Sequence, residues 1–310
     1  MDYFQLTIPV AFLIFNRPNT TARVFEAIRQ AKPPKLLVVA DAPRPDKPDD
    51  VEKCNAARAI IDGVDWDCEV LTNYSDANLG CKNRVSSGLD WVFETVEEAI
   101  ILEDDCLPHS SFFRFCEELL DYYRHDKRIM AISGDNFQFR RRHTEYSYYF
   151  SRYTHIWGWA SWRRAWQYYD VKMKLWEEIR DGDWLKSILE ETKVVKYWTK
   201  IFQTAYDDKI DTWDYPWTFA CWIQNGLTIL PNVNLVSNIG FGEDATHTSS
   251  SKSRVANLGV QEMNFPLEHP LFVIRHKQAD DFTHKHIFKI PIPSLILQKF
   301  RNFTYLNLEI

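Results

Sequence analysis

The first 105 residues alternate short apolar runs with helix-patterned segments, and this alternation constrains the fold more than any other feature. Residues 8–15 form an apolar run broken by Asn16-Arg17-Pro18-Asn19, as a buried strand is stopped by turn residues. Asn19 can cap a helix in which Val24, Ile28 and Ala31 recur at helical spacing, and Pro33-Pro34 ends it. Residues 35–40 repeat the apolar run, closed by Asp41 and a Pro-rich loop over 42–48. A helix over 51–61, a strand over 68–72 and a helix over 83–95 lead into Ile100-Ile101-Leu102. This β-α-β-α order predicts a mostly parallel sheet with helices on both faces. The run Ile100-Ile101-Leu102 is apolar throughout rather than alternating, as a buried parallel strand is. Open sheets of this kind bind ligands at the carboxyl ends of their strands.

Glu103-Asp104-Asp105 stands at such an end, followed by Cys106-Leu107-Pro108. Three adjacent carboxylates repel one another, and a folded chain tolerates them cheaply only where a cation or a set of donors meets them. A divalent metal carrying a diphosphate would do so. The plainer reading makes Asp104 or Asp105 the cap of a helix opening near Pro108, which accounts for one acid and not for three. The sequence has neither a GxGxxG turn nor a GxxxxGK[ST] loop, so a metal ion is the remaining common device for holding phosphate.

Beyond a predicted helix over 112–124 and a strand over 129–133 the alternation weakens. Tyr148-Tyr149-Phe150 and the run from Trp157 to Trp162 open an aromatic second half. A polar helical region over 170–208 precedes Asp211-Thr212-Trp213-Asp214-Tyr215-Pro216-Trp217, with strands near 228–230 and 235–236. The twelve tryptophans and fourteen tyrosines are core residues by default, although such rings also stack on sugars.

The 310 residues suffice for one large domain or two small ones. A net charge of −6 and a pI near 5.9 argue against a nucleic-acid binder. Arg140-Arg141-Arg142-His143 is a local exception, either a solvated loop or a contact for an anionic acceptor or lipid head group. Six scattered cysteines show no zinc-like spacing and are expected to be reduced thiols. The amino-terminal residues lack the basic and apolar regions of a leader, and no stretch is long enough to span a bilayer. A cytoplasmic protein is expected, with peripheral contact at the inner membrane face left open.

In their order, Asn16-Arg17-Pro18, Asp41, Asp76-Ala77-Asn78-Leu79-Gly80-Cys81-Lys82-Asn83-Arg84, Glu103-Asp104-Asp105, Trp157-Gly158-Trp159 and Trp213-Asp214-Tyr215-Pro216-Trp217 resemble the motifs of GT-A fold nucleotide-diphospho-sugar glycosyltransferases. The pattern is most similar to the N-acetylglucosaminyltransferase I type, which carries Glu-Asp-Asp where others carry Asp-X-Asp. It runs from about Pro9 to His247. The resemblance implies a GT-A-like α/β catalytic domain over 1–248, with a nucleotide-sugar half over 1–135 and an acceptor half over 136–248. Residues 249–310 would form an extension without an assigned role.

The same resemblance implies residue roles. Asp105 would bind Mn²⁺ or Mg²⁺, and Glu103 and Asp104 would hold ribose or donor-sugar hydroxyls. Arg17 would approach the diphosphate and Asp41 the uracil N3–H. Asn78, with Lys82 or Arg84, would contact ribose or phosphate. Trp157, Gly158 and Trp159 would frame the donor sugar, and His247 would lie near the diphosphate. Asp214 would be the catalytic base. This chain departs from the family's Trp-Asp-Asp-Trp segment, because Tyr215 replaces the second acid and Pro216 lengthens the motif; Asp211 is therefore the fallback base.

The implied activity is a metal-dependent, inverting transfer from a UDP-sugar to a hydroxyl of a glycan, lipid-linked or protein acceptor, with surface glycan or polysaccharide assembly as the expected setting. Two other readings stay open. A nucleotidyltransferase shares the sheet and acidic site but normally carries a Gly-rich basic loop where this chain has Asn16-Arg17-Pro18-Asn19. A non-catalytic sugar-binding protein with a degenerate transferase fold would have no use for both an intact acidic triplet and a base.

Overall fold

The computed structural model describes residues 4–241 and 255–288. The alternation read from the sequence folds as expected through β1 (Val10–Ile14), α1 (Pro18–Ala31), β2 (Lys35–Ala40), α2 (Asp49–Ala59), β3 (Glu69–Tyr74), α3 (Gly80–Thr95) and β4 (Glu98–Glu103). Asn19 does not cap α1: the helix starts two residues earlier than that cap would place it, with Arg17 at the cap position and Pro18 as its first residue. Proline suits that place because its missing N–H would have found no partner there. The chain continues through a short β5 (Cys106–Pro108), α4 (Ser111–Tyr122), β6 (Ile129–Ser133), β7 (Tyr148–Ser151) and β8 (Trp159–Trp162). Because β5 follows the acids directly, neither Asp104 nor Asp105 caps the helix beyond Pro108.

A short α5 (Arg163–Trp166) follows β8, and three helices, α6 (Trp176–Asp181), α7 (Leu185–Leu189) and α8 (Thr192–Tyr206), build the polar helical region. They precede α9 (Asp214–Ile223), β9 (Leu227–Pro231), β10 (Val236–Asn238) and α10 (Lys277–Thr283). Eight strands form one sheet in the order β3-β2-β1-β4-β8-β6-β9-β7. Strands β1 to β4 are parallel, whereas β8 runs antiparallel to both its neighbours and β7 antiparallel to β9. The fold is thus α/β with a mostly parallel central sheet flanked by helices. Strand order reverses between β1 and β4, the switch point at which open sheets leave a crevice.

Every residue of β1 is buried, which accounts for its unbroken apolar sequence. Helix α4 turns Phe112, Phe113, Phe115, Cys116, Leu119 and Leu120 inward, an apolar stripe at helical spacing. In the second half, Trp159 stacks on Trp213 with ring centroids 5.7 Å apart, and Trp166 and Trp217 close the cluster. Each fully buried aromatic contributes on the order of 3 kcal/mol through the water it no longer orders.

The segment 255–288 packs back onto the sheet. Arg275 bridges to Phe150 of the edge strand β7, and the Ser151 hydroxyl donates to Asp280 Oδ1 at 2.6 Å. The Gln138 amide donates to the Thr283 hydroxyl at 2.8 Å. Among the described residues no helix is long and apolar enough to cross a membrane.

Candidate functional site

A cavity of about 250 Å³ opens at the carboxyl ends of β1, β2 and β4. From β1 the chain turns through Phe15, Asn16 and Arg17, laying the Arg17 guanidinium against the acids that follow β4. Arg17 Nη1 donates to Asp105 Oδ2 at 2.5 Å and lies 3.4 Å from Asp104 Oδ1. The Phe15 backbone N–H donates to Asp104 Oδ2 at 3.1 Å. Asp105 is approached from the far side by β10, which pairs with β5: the Asn238 amide lies 3.5 Å from Asp105 Oδ1, and Ile239 N–H donates to the Asp105 carbonyl at 2.8 Å. Gly240 passes so close that a Cβ there would overlap the Asp105 carboxylate.

The electrostatics of this corner are unbalanced. Burial works against the charge of Arg17, but Asp104 and Asp105 outweigh it and hold the guanidinium protonated above its ordinary range. Burial, reinforced by Asp105 and Asp104, pushes the Glu103 carboxyl well up, with Arg17 pulling it back. Burial raises Asp104 as well, opposed first by Arg17. Glu103 Oε1 is buried without a hydrogen-bond partner among the described residues. One guanidinium therefore faces three carboxylates, and one buried oxygen is left over.

No group of three or more His, Cys, Asp and Glu side chains forms a metal cage among the described residues. The donor set fits instead a hard cation that takes one or two carboxylates from the protein and its remaining ligands from phosphate.

The opposite wall is organised by Asp41. Its carboxylate accepts from Ala42 N–H at 2.9 Å, Leu79 N–H at 3.0 Å, Gly80 N–H at 3.0 Å and the Asn78 amide at 3.1 Å. Four donors meet the acceptor positions of this one carboxylate, so Asp41 gathers the turn before α3. Asn78 also gives its amide to the Ala42 carbonyl at 2.7 Å. Arg84 lines the cavity, but its guanidinium clamps the ends of β2 and β3 through the Ala40 and Asn73 carbonyls at 3.1 and 2.6 Å. Lys82 points elsewhere and pairs with Asp208 at 2.8 Å.

Asp211 reaches the cavity wall, where it accepts from Cys81 N–H at 3.1 Å and Lys82 N–H at 2.8 Å and so caps α3 from 130 residues away. Asp214, the first residue of α9, is buried outside the cavity lining and accepts from the Thr212 hydroxyl. Burial pushes its carboxyl up to about 6 against the hydrogen bond from Thr212.

Trp157 lines the cavity. Gly158 adopts φ +62° beneath Val236 and Leu102, where a Cβ would meet Val236 at 2.7 Å, so its role is close packing. Trp159 is wholly buried in the aromatic cluster and does not reach the cavity. His247 lies outside the described residues.

Three contributors went unforeseen. Arg44, on the cavity wall, forms a forked pair with Asp50 at 2.5 and 3.0 Å. Asn238 was marked only by its place just after the strand predicted over 235–236. Buried His155 shares a 2.5 Å contact with Asp135, whose other oxygen accepts from Trp157 N–H at 3.2 Å. A pair twenty residues apart leaves no local pattern in a sequence.

Fold and site together define an α/β protein with an acid-lined, arginine-countered cavity at the switch point of its sheet. No protein-family model matches the sequence, and no curated protein matches it. Among solved structures the chain is similar to mouse Xyloside xylosyltransferase 1 in its apo form, at TM-score 0.35 and 11% identity over 69% of this chain and 81% of that one. It is also similar to a UDP-glucose pyrophosphorylase complexed with UDP-glucose, at TM-score 0.26 and 12% identity over 47% of this chain and 62% of that one. Likeness at this level carries no argument about activity, which rests on the site's own residues.

Proposed function

We propose that the chain is a glycosyltransferase that binds a nucleoside-diphosphate sugar, in the first instance a UDP-sugar, with Mn²⁺ or Mg²⁺, and transfers the sugar to an acceptor hydroxyl with inversion. The observation that carries this reading is the convergence of Glu103, Asp104, Asp105 and Arg17 on one cavity at the carboxyl ends of β1 and β4. Excess negative charge beside a guanidinium is the arrangement that a cation and a diphosphate would complete together.

In this reading Asp105 holds the metal, with Asn238 and Gly240 fixing the carboxylate, and Arg17 contacts phosphate oxygens. When bound, the ion supplies charge neutralisation for the departing nucleoside diphosphate, so no general acid is required. Glu103 and Asp104 accept from sugar or ribose hydroxyls. Trp157 and Arg44 bound the pocket on either side. Asp214 or Asp211 takes the acceptor proton: burial raises the proton affinity of Asp214, and Asp211 lines the cavity. Inversion follows from a single carboxylate base acting without a covalent intermediate.

Melting curves with a panel of sugar nucleotides, with and without Mn²⁺, test the reading. Saturation at a hundred times Kd should add about 2.7 kcal/mol of stability, a shift of a few degrees for a chain of this size. The shift should need the metal and vanish in Asp105→Ala. Release of pyrophosphate from a nucleoside triphosphate and a sugar phosphate would instead make it a nucleotidyltransferase, and donor binding without turnover would make it a binding protein.

A further inference from the structure

The loop before α10 is unusually apolar at its surface. Leu271 is 91% exposed, Phe272 54% and Ile274 66%, so three large apolar side chains within four residues face water. Scattered exposed apolar residues are ordinary, but a contiguous set on an ordered segment marks an interaction surface.

The basic run Arg140-Arg141-Arg142 lies alongside. The Arg141 guanidinium stands 4.6 Å over the Phe282 ring of α10, and His143 lies 5.3 Å from His276 between ring centroids. Tyr146 meets Phe272 edge-on at 6.2 Å, and Ser147 N–H donates to the Glu268 carbonyl at 2.9 Å. All three arginines are exposed, as are Lys277 and Lys285. Glu145 and Asp281 offset two of these charges, Glu145 through Arg142 at 3.8 Å and Asp281 through Lys277 at 2.8 Å. Exposed Glu268 is a further acid beside the loop. Glu190 and Glu191 line the same pocket as Lys277 and Lys285 and offset them. The positive charge of this face is therefore that of Arg140 and Arg141, which make no ion pair among the described residues.

We propose that this face docks on an anionic lipid bilayer, with Leu271, Phe272 and Ile274 entering the interfacial layer and Arg140, Arg141 and Arg142 meeting lipid phosphates. An apolar wedge beside a cluster of arginines is the combination that membrane surfaces select, since each element alone binds weakly. A protein partner with an apolar patch of its own would bind without regard to anionic lipid, and the vesicle measurement below separates the two. The proposal is independent of the transfer reaction and is tested without it.

Co-sedimentation of the full chain with vesicles of phosphatidylcholine alone, and of phosphatidylcholine with 30% phosphatidylglycerol, reads the effect directly. The chain should partition to the anionic vesicles and dissociate as salt shortens the screening length. Each of Arg140→Gln, Arg141→Gln and Arg142→Gln should lower partitioning roughly fivefold. The triple change Leu271→Ser, Phe272→Ser, Ile274→Ser should lower it at least tenfold, with an unchanged melting curve because these side chains are exposed. Absence of binding to anionic vesicles, or unaltered binding by the triple serine variant, would overturn the proposal. So would a dimer without vesicles that the same serine changes disperse, because the occupant would then be a second copy.

Discussion

Asp214 shows what a buried carboxylate costs a fold. In the unfolded chain its carboxyl titrates near 3.8, while in the folded chain burial keeps the proton on to about 6. The folded state therefore binds the extra proton between those values, and the stability this gives is lost as pH rises through about 6. At pH 8 the buried charge costs on the order of 3 kcal/mol. Asp214→Asn should raise the unfolding free energy at pH 8 by up to that amount and leave it unchanged near pH 3, measured by urea titration at both values. If Asp214 is the base, the wild-type transfer rate climbs through pH 6 and the variant loses both the climb and most of the rate. Retention of full activity by Asp214→Asn passes the role to Asp211.

Among the elements, α3 is held in an uncommon way. Its first turn is capped not by a neighbour in sequence but by Asp211, and the turn before it is gathered by Asp41. A carboxylate at a helix amino end satisfies orphan N–H groups and favours the dipole. Asp211→Ala should therefore cost about 1–2 kcal/mol in chemical denaturation, whatever its effect on catalysis. Asp211→Asn, which keeps one acceptor oxygen, should recover part of that loss. In the sequence Asp41 reads as a uracil contact and Asp211 as the fallback base. Both border the cavity, but only the fold reveals which donors they already hold.

For the whole molecule, the carboxyl-terminal segment is part of the sheet's support. The Asp280 carboxylate accepts from Ser151 and Arg152, and Gln138 spends its amide on Thr283 and the Ala279 carbonyl. A chain ending at Phe241 would lose these hydrogen bonds, each worth about 1 kcal/mol net, and bare the edge of β7. It would also uncover Tyr153 and Trp198 where Phe288 packs on them, at about 2–3 kcal/mol per large side chain. Together these losses rival the 5–15 kcal/mol margin of an ordinary domain. Such a truncation should appear in the insoluble fraction or melt without a cooperative transition by circular dichroism. Soluble, cooperatively folding material would show that the first 241 residues stand alone.

Strands β1, β2 and β4 were legible because a strand buried on both faces must be largely apolar, whereas β3, at the sheet edge with no buried residue, was legible only from its place in the alternation. Glu103-Asp104-Asp105 was legible for the opposite reason, as charge that the local sequence could not neutralise. The fit of Arg17 to those acids, the approach of Asn238 and Gly240 to Asp105, and the burial of Trp159 were decided only by tertiary structure. Each depends on residues brought together from distant parts of the chain, so no local period or spacing encodes it. The sequence by itself determined where charge would gather; the packing of β1, β4 and the β5–β10 ribbon decided which groups would meet it.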